Sequence, residues 1–225
     1  MDNGLCAWET NAQYWDDKMG DESNNTHRNL VRPRTEELLN VKNGDFVLDI
    51  ACGNGNFSKR LADNGARVVA FDFSSKMIEL AKTRRKDALD KISFSVCDAT
   101  DFDALMMLKQ ERPYDKAVAN MAIMDISNIQ PLFRAVSLML RKCGSFVFST
   151  LHPCFDYPSN DYLTNCIYKG EAIAGQPVLQ NYYHRTIEEI FSVAFQHGFV
   201  VDGFHEVPKN EQQTPFIMIV RMRTV

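Results

Sequence analysis

The stretch Phe46-Val47-Leu48-Asp49-Ile50-Ala51-Cys52-Gly53-Asn54-Gly55-Asn56-Phe57 decides the fold. Its first half is a nearly continuous apolar run, the pattern of a short strand covered on both faces. An aspartate stands near the end of the run, a G-x-G turn follows, and Phe57 to Ala62 has a helical pattern ending near Gly65. Gly53 allows the sharp turn, and Gly55 is read as letting a ligand approach the backbone. Ligands of open α/β sheets bind at the carboxyl ends of strands, so this turn marks the expected binding edge.

Working outward, the alternation repeats. Arg67 to Phe73 is a second strand, and Ser74 or Ser75 caps a helix running to about Arg85. Ile92 to Cys97 is a third strand and Tyr114 to Ala122 a fourth, with a helix from Ala104 to Glu111 between them. A helix from Ile129 to Arg141, closed by Gly144, leads into a fifth strand from Ser145 to Thr150. Strands and helices alternating at this spacing give βαβ units and a mostly parallel sheet. The tail differs. Thr186 to His197 is a helix ended by Gly198, and Phe199 to Val207 and Phe216 to Met222 are strands too close for a crossover, hence antiparallel. The fold class is therefore α/β, doubly wound. We expect one domain over 1–225, with a helical cap at 1–40 and an insert at 151–185. That insert carries Phe155, Tyr157, Tyr162, Tyr168, Tyr182 and Tyr183, too many aromatics for a solvated linker. They form either a small core of the insert or a pocket for a flat or apolar ligand.

Composition narrows the function classes. Of 225 residues, 45% are apolar and 24% charged, ordinary for a globular chain. No apolar run approaches the ~20 residues of a membrane helix, and Met1-Asp2-Asn3-Gly4 does not open a secretory signal. With 25 basic and 29 acidic residues the net charge is −4, so neither nucleic acid nor a membrane is expected as a partner. The cluster Lys82, Arg84, Arg85 and Lys86 is read as a solvated helix end. Six cysteines without a C-x-x-C pair suggest a reducing, cytoplasmic setting.

The turn also selects among ligands. A dinucleotide site would place a third glycine at position 58, where Ser58 stands, and Asp49 would repel a pyrophosphate. An ammonium group would be attracted; the alternative is that Asp49 caps amides of its own turn. Asp72 ends the second strand, 19 residues after Gly53, where acidic side chains take ribose hydroxyls. Asp98 follows the third strand. Three carboxylates at one sheet edge suit a cationic ligand rich in hydroxyls and amines, as S-adenosylmethionine is.

These residues resemble class I S-adenosylmethionine-dependent methyltransferases of the small-molecule type. Val47 to Gly55 is similar to that family's first motif, with Ala51 in place of its first glycine. Val68 to Ser74 with Met77 resembles the second motif, Val96 to Ala99 the third, and Ala119 to Asp125 the fourth. The resemblance implies a seven-stranded sheet of order 3-2-1-4-5-7-6 with its last strand antiparallel. It implies that Asp49 and the loop containing Ala51, Gly53, Gly55 and Asn56 hold the methionine end. Asp72 takes the ribose, Phe73 and Met77 lie by the adenine, and Asp98 and the Ala99 amide meet the adenine edge. Asn120 and Met121 border the sulfonium, Tyr14 and Trp15 cover the cofactor, and Arg32 or Arg34 pairs with the methionine carboxylate. S-adenosylhomocysteine would be the product.

Such chemistry moves a methyl group to an oxygen, nitrogen or carbon of a small acceptor by in-line displacement. Alignment supplies most of the rate, up to ~7–11 kcal/mol. A base helps where the acceptor carries a proton. The candidate catalytic residues are His152, directly after the fifth strand, and His184, before the last helix; both alternatively order the loop by hydrogen bonds. His27, His197 and His205 are expected outside the mouth. No metal site is expected, although His152, Asp156 and His184 are conceivable ligands. Two competing readings are a non-catalytic module that binds the same cofactor and a nicotinamide-dependent oxidoreductase. The long aromatic insert weighs against the first, and Ser58 and Asp49 against the second. Oligomeric state cannot be read from the sequence.

Overall fold

The computed structural model describes residues 3–155, 162–209 and 214–225. Five parallel strands form the heart of the sheet: β1 (Phe46–Ile50), β2 (Arg67–Asp72), β3 (Ile92–Val96), β4 (Tyr114–Ala119) and β5 (Leu140–Leu151). β6 (Cys166–Gly170) and β7 (Gln180–His184) make a separate antiparallel pair, while β8 (Phe199–Pro208) and β9 (Pro215–Thr224) complete the main sheet. Its order is β3-β2-β1-β4-β5-β9-β8, with β9 antiparallel to both neighbours. Counting only its own strands, that is the expected 3-2-1-4-5-7-6.

Both faces of the sheet are covered, and the apolar runs show why. Val47, Val68, Val118 and Val147 pack beneath α2 (Arg32–Leu39), α3 (Asn56–Asp63) and α4 (Ser75–Arg84). Leu48, Ala117, Phe146 and Phe148 face the other way, against α6 (Gln130–Met139) and α7 (Ile187–Gln196). Successive strand residues point to opposite faces, so a strand covered twice must be apolar at nearly every position. Phe133 of α6 anchors the second layer, edge-on to Phe146, Phe148 and Phe199.

Several local rules hold. Ser74 caps α4, its Oγ accepting from the Met77 amide, and Thr186 caps α7 through Glu189. Several boundaries differ from expectation, among them the fourth strand, which ends at Ala119 rather than Ala122. The helix expected from Ala104 is α5 (Phe102–Met106), because the Asp101 side chain accepts from the Ala104 amide and starts it early. Gly144 does not close α6. The helix stops at Met139, Leu140 pairs directly with Tyr114, and Cys143 takes the left-handed backbone at φ 57°.

The region before β1 is helical: α1 (Asn3–Met19), then a π-helical turn, His27–Val31, running into α2. The insert contributes the β6–β7 hairpin. Its Tyr157, together with Asp156, lies outside the described residues.

Candidate active site

The turn after β1 is built on unusual backbone. Ala51, Gly53 and Gly55 all lie in the left-handed region, at φ 52°, 54° and 73°. Glycine takes that region without penalty, so Ala51 is a small residue where the backbone favours none. The loop is held from the second strand. Gly53 N–H donates to Asp72 Oδ2 and Ser74 N–H to Asp72 Oδ1, both at 3.0 Å. Asp49 is buried and accepts the Ser58 hydroxyl at 2.5 Å, which gives position 58 a role that glycine lacks. Asp98 accepts both the amide and the hydroxyl of Thr100 at 2.8 Å.

Burial dominates the carboxylates. It pushes Asp49 up to about 7 against the pull of the Ser58 hydroxyl, with nearby Asp72 adding to the rise. It pushes Asp72 up to about 6 despite the two amide donors. Both groups sit where a cationic or hydroxyl-rich ligand would relieve the cost of the charge.

A cleft of about 780 Å³ opens above these strand ends. Trp15, Arg32, Asp49, Ala51, Gly53, Asn56, Asp72, Phe73, Met77, Asp98, Ala99, Asn120 and Met121 all line it. Met121 is another left-handed residue, at φ 51°, its amide donating to Ser149 Oγ at 2.9 Å. Strained backbone at both Ala51 and Met121 borders the same space. Asn56 is buried; its Oδ1 accepts from Arg85 while its Nδ2 has no partner among the described residues.

Other expected residues lie elsewhere. Gly55 is not on the cleft wall: a Cβ there would come within 2.9 Å of the Phe94 ring and 3.2 Å of Arg85 Cγ, so it makes room for packing behind the loop. Gly53 faces the cleft, but the ring that approaches its backbone is Trp15. Tyr14 is also off the wall, and its hydroxyl donates to Ala174 O at 2.7 Å. Arg34 pairs with Glu37 at 2.8 Å, away from the cleft. Arg32 faces the cleft and donates to Glu22 O at 2.6 Å.

Neither candidate catalytic histidine lines the cleft. His152 is buried; its Nδ1 accepts from the Cys154 amide at 3.1 Å and its Nε2 lies 3.0 Å from Glu206 Oε1. Burial lowers its pKa against the pull of Glu206. His184 is buried, its Nε2 2.9 Å from Tyr162 O. Pro153, Cys154 and Phe155 form a turn directly after His152. His27, by contrast, lines the cleft, although the sequence reading excluded it. Burial and neighbouring Arg32 push its imidazole down to about 4. Among the described residues no group of three metal-ligating side chains converges.

In the basic cluster at the end of α4, Lys82 and Lys86 are exposed as expected, but the two arginines are not solvated charges. Arg84 grips buried Asp16 of α1 with two nitrogens, one at 2.7 Å, and Arg85 is itself buried, donating to Asn54 O and Asn56. These cations tie the loop to α1 rather than facing solvent. Asp16 takes in addition the Asn54 amide at 2.7 Å.

The roof joins α1 to the insert. Asn11 Nδ2 donates to Val178 O at 2.8 Å, and Val178 N–H donates to Asn11 Oδ1 at 3.1 Å. Tyr168 and Tyr182 lie on the cleft wall with ring centroids 5.5 Å apart, whereas Phe155 packs on Phe216 and Tyr183 under Arg185. The insert's aromatics thus divide between lining and packing. Trp8 completes the roof, edge-on to Trp15 at 6.3 Å. Its signal in the sequence is the seven-residue spacing, two helical turns on one face. No helix among the described residues is long and apolar enough to cross a membrane.

Residues 41–190 match the model of a methyltransferase domain. A ubiquinone biosynthesis O-methyltransferase of Pelagibacter ubique is 32% identical over 123 residues, 54% of this chain and 47% of that one. A demethylmenaquinone methyltransferase of Beutenbergia cavernae is 37% identical over 102 residues, 42% of this chain and 41% of that one. The chain thus spans less than half the length of either relative. In fold it is similar to an S-adenosylmethionine-dependent methyltransferase from Mesorhizobium loti, with a TM-score of 0.70, 24% identity, and coverage of 85% of this chain and 96% of that one. With the family model covering two thirds of its length, including every strand-end carboxylate described above, the chain belongs to the methyltransferase domain family.

Proposed function

We propose that this protein transfers a methyl group from S-adenosylmethionine to a small-molecule acceptor in the cytoplasm. The observation that carries the reading is the set of strand-end carboxylates, Asp49, Asp72 and Asp98, on the floor of one roofed cleft. Their chemistry fits the cofactor. Asp49 suits the ammonium group, Asp72 the ribose hydroxyls and Asp98 the adenine amine, beside apolar Met77 and Ala99. The unpartnered Asn56 Nδ2 and the Arg32 guanidinium are donors for the methionine carboxylate. S-adenosylmethionine supplies an activated methyl group and a sulfur that leaves uncharged.

The chain's own contribution is alignment and exclusion of water. Trp8 and Trp15 from α1, with Tyr168 and Tyr182 from the insert, roof the space between floor and solvent. A roof of this kind, with a net charge of −4, favours a small acceptor over nucleic acid. The relatives named for ubiquinone biosynthesis and for demethylmenaquinone point the same way. Cofactor-bordering Asn120 accepts from Ser149 Oγ at 3.3 Å, which fixes its amide beside Met121. We assign His152 and His184 to the architecture of the insert and not to the reacting atoms, since both lie off the cleft.

Calorimetry tests the binding half of the reading and product analysis the other half. Micromolar binding of S-adenosylmethionine, with S-adenosylhomocysteine formed from some acceptor in a small-molecule screen, is expected. Binding without turnover across a broad screen would favour a non-catalytic module, and absence of binding would sink the reading.

A further inference from the structure

We propose that Asp125 is the acceptor-facing residue, its Oδ2 taking the N–H or O–H of the nucleophile, so that the acceptor is a hydroxyl or an amine rather than a carbon. The inference rests on the methyl-transfer reading above and names its substrate class.

Asp125 ends a short 3₁₀ turn, Ile123–Asp125, just beyond Asn120 and Met121, and it lines the cleft. Its Oδ1 accepts from Gln180 Nε2 at 2.8 Å. Its Oδ2 has no hydrogen-bond partner, and the carboxylate has no ion-pair partner, among the described residues. Asp125 is half-buried on a wall of mixed polar and apolar residues, and this oxygen is left as an acceptor for a donor from outside the chain.

The orientation of that carboxylate is set from a distance. Gln176 Oε1 accepts from the amides of Ala172 and Ile173, at 2.9 and 3.1 Å. Gln176 Nε2 must then face Val178 O, at 2.7 Å, and Gln180 Oε1, at 3.4 Å. With its oxygen committed to Gln176, Gln180 can only present its NH₂ to Asp125. Both glutamines are buried. The relay therefore runs from a segment that itself lines the cleft, Ala172–Ile173, to one oxygen of Asp125, and leaves the other for the acceptor.

The charged surroundings do not neutralise the group. Burial raises its pKa, the hydrogen bond from Gln180 pulls it back, and Asp72 at the end of β2 adds to the rise. Arg185, following β7, spends its guanidinium on the carbonyls of Ile123, Ile126 and Ser127. Lys169 and Glu171 of the insert and Asp98 after β3 lie on the same cleft wall. From β5, Thr150 offers only a hydroxyl, directed at Met124 Sδ.

In the step assigned to this residue the acceptor's O–H or N–H bond breaks and its proton passes to Asp125 Oδ2. The electron pair stays on the heteroatom and forms the new bond to the methyl carbon. The proton then leaves to water, restoring the carboxylate.

The experiment uses the whole chain and three acceptor panels: phenols and alcohols, aryl and alkyl amines, and carbon nucleophiles. Turnover should be confined to the first two, and the product tells oxygen from nitrogen. Asp125→Asn should lower kcat by about 10²- to 10⁴-fold with the S-adenosylmethionine Kd within about twofold. A second readout needs no turnover. In protein labelled with carbon-13 at aspartate carboxyls, one resonance titrating above the ordinary ~3.9 should vanish in Asp125→Asn. It should move to still higher pH in Gln180→Leu, which loses a donor to the carboxylate. With S-adenosylhomocysteine bound, phenol or benzylamine should shift that same resonance. Wild-type kcat in Asp125→Asn, methylation of the carbon panel alone, or an Asp125 resonance indifferent to both fragments and to Gln180→Leu would overturn the assignment while leaving the methyl-transfer reading standing. No S-adenosylmethionine binding by the wild-type chain would sink both.

Discussion

The floor and the roof of the cleft are built by different means. The floor is the edge of a sheet: Asp72 reaches 19 residues back to the Gly53 amide, and Asp49 reaches Ser58 nine residues on. The roof is a clasp between distant segments. Asn11 meets Val178 across 167 residues and Tyr14 meets Ala174 across 160. A floor made of ladder bonds and local caps is stiff, because each link is reinforced by the strands beneath it. A roof made of a few side-chain bonds opens at lower cost, as a site that admits a ligand requires. Damage to the floor should therefore abolish binding, whereas damage to the roof should alter access and leave the floor intact.

The largest effect is expected at Asp72. Replacing it with alanine leaves the amides of Gly53 and Ser74 without an acceptor and removes the group assigned to the ribose. S-adenosylmethionine affinity should fall about 100-fold or more by calorimetry, the loss of charge-assisted contacts plus two stranded donors. A tenfold loss or less would mean that the loop holds its shape without this anchor.

The floor should also carry the pH dependence. Asp49 sits at about 7 in the ligand-free protein, far above the ordinary ~3.9. An ammonium ligand needs the carboxylate, so affinity should weaken by up to about tenfold per pH unit below 7. The same shift bears on folding with a definite sign. A carboxyl whose folded pKa is raised contributes stability that is fully present below about 4 and is lost as pH rises through 7. Asp49→Asn should therefore raise the thermal midpoint of the ligand-free protein at pH 8 and barely change it near pH 4. An unchanged midpoint at pH 8 would show that the buried carboxylate is not a source of strain.

At the roof, Asn11→Ala removes both bonds to Val178. Each is worth about 0.5–1.5 kcal/mol, so local opening of the clasp should become roughly 5- to 150-fold easier. Hydrogen exchange at 171–178 should accelerate and acceptor KM rise, with S-adenosylmethionine Kd within about threefold. Loss of cofactor affinity equal to that of Asp72→Ala would erase the distinction between floor and roof.

The smallest catalytic effect is expected at His152. With its ring nitrogens engaged by Cys154 and Glu206, His152→Gln should retain most of kcat and lose thermal stability. A hundredfold fall in kcat with unchanged cofactor affinity and stability would restore it as a base.

How much of this was legible follows the same division. The alternation of strands and helices, a capping serine at 74 or 75, the antiparallel tail and the floor carboxylates are readable, because each depends on residues a few positions apart or on a period of two or 3.6; the sheet order follows only from the family resemblance. Gly55 reads as a place for a ligand to approach the backbone, but the space beside it is filled by Phe94 from β3 and by Arg85, which no local pattern announces. His27 was excluded because the sequence gives no sign that a π-helical turn carries residues 27–31 to the cleft. Arg84 and Arg85 looked like solvated charges at a helix end, since nothing local reveals that Asp16 will be buried beside them.

By itself, then, the sequence determined a doubly wound sheet with a turn suited to a small cationic ligand, and it did so through patterns that local geometry enforces. Which histidine faces the cleft, where Tyr14 points, and how Gln176 and Gln180 aim one oxygen of Asp125 were decided only in three dimensions. The physical reason is that a side chain's role is set by its desolvation and its partners, and at the roof those partners come from opposite ends of the chain.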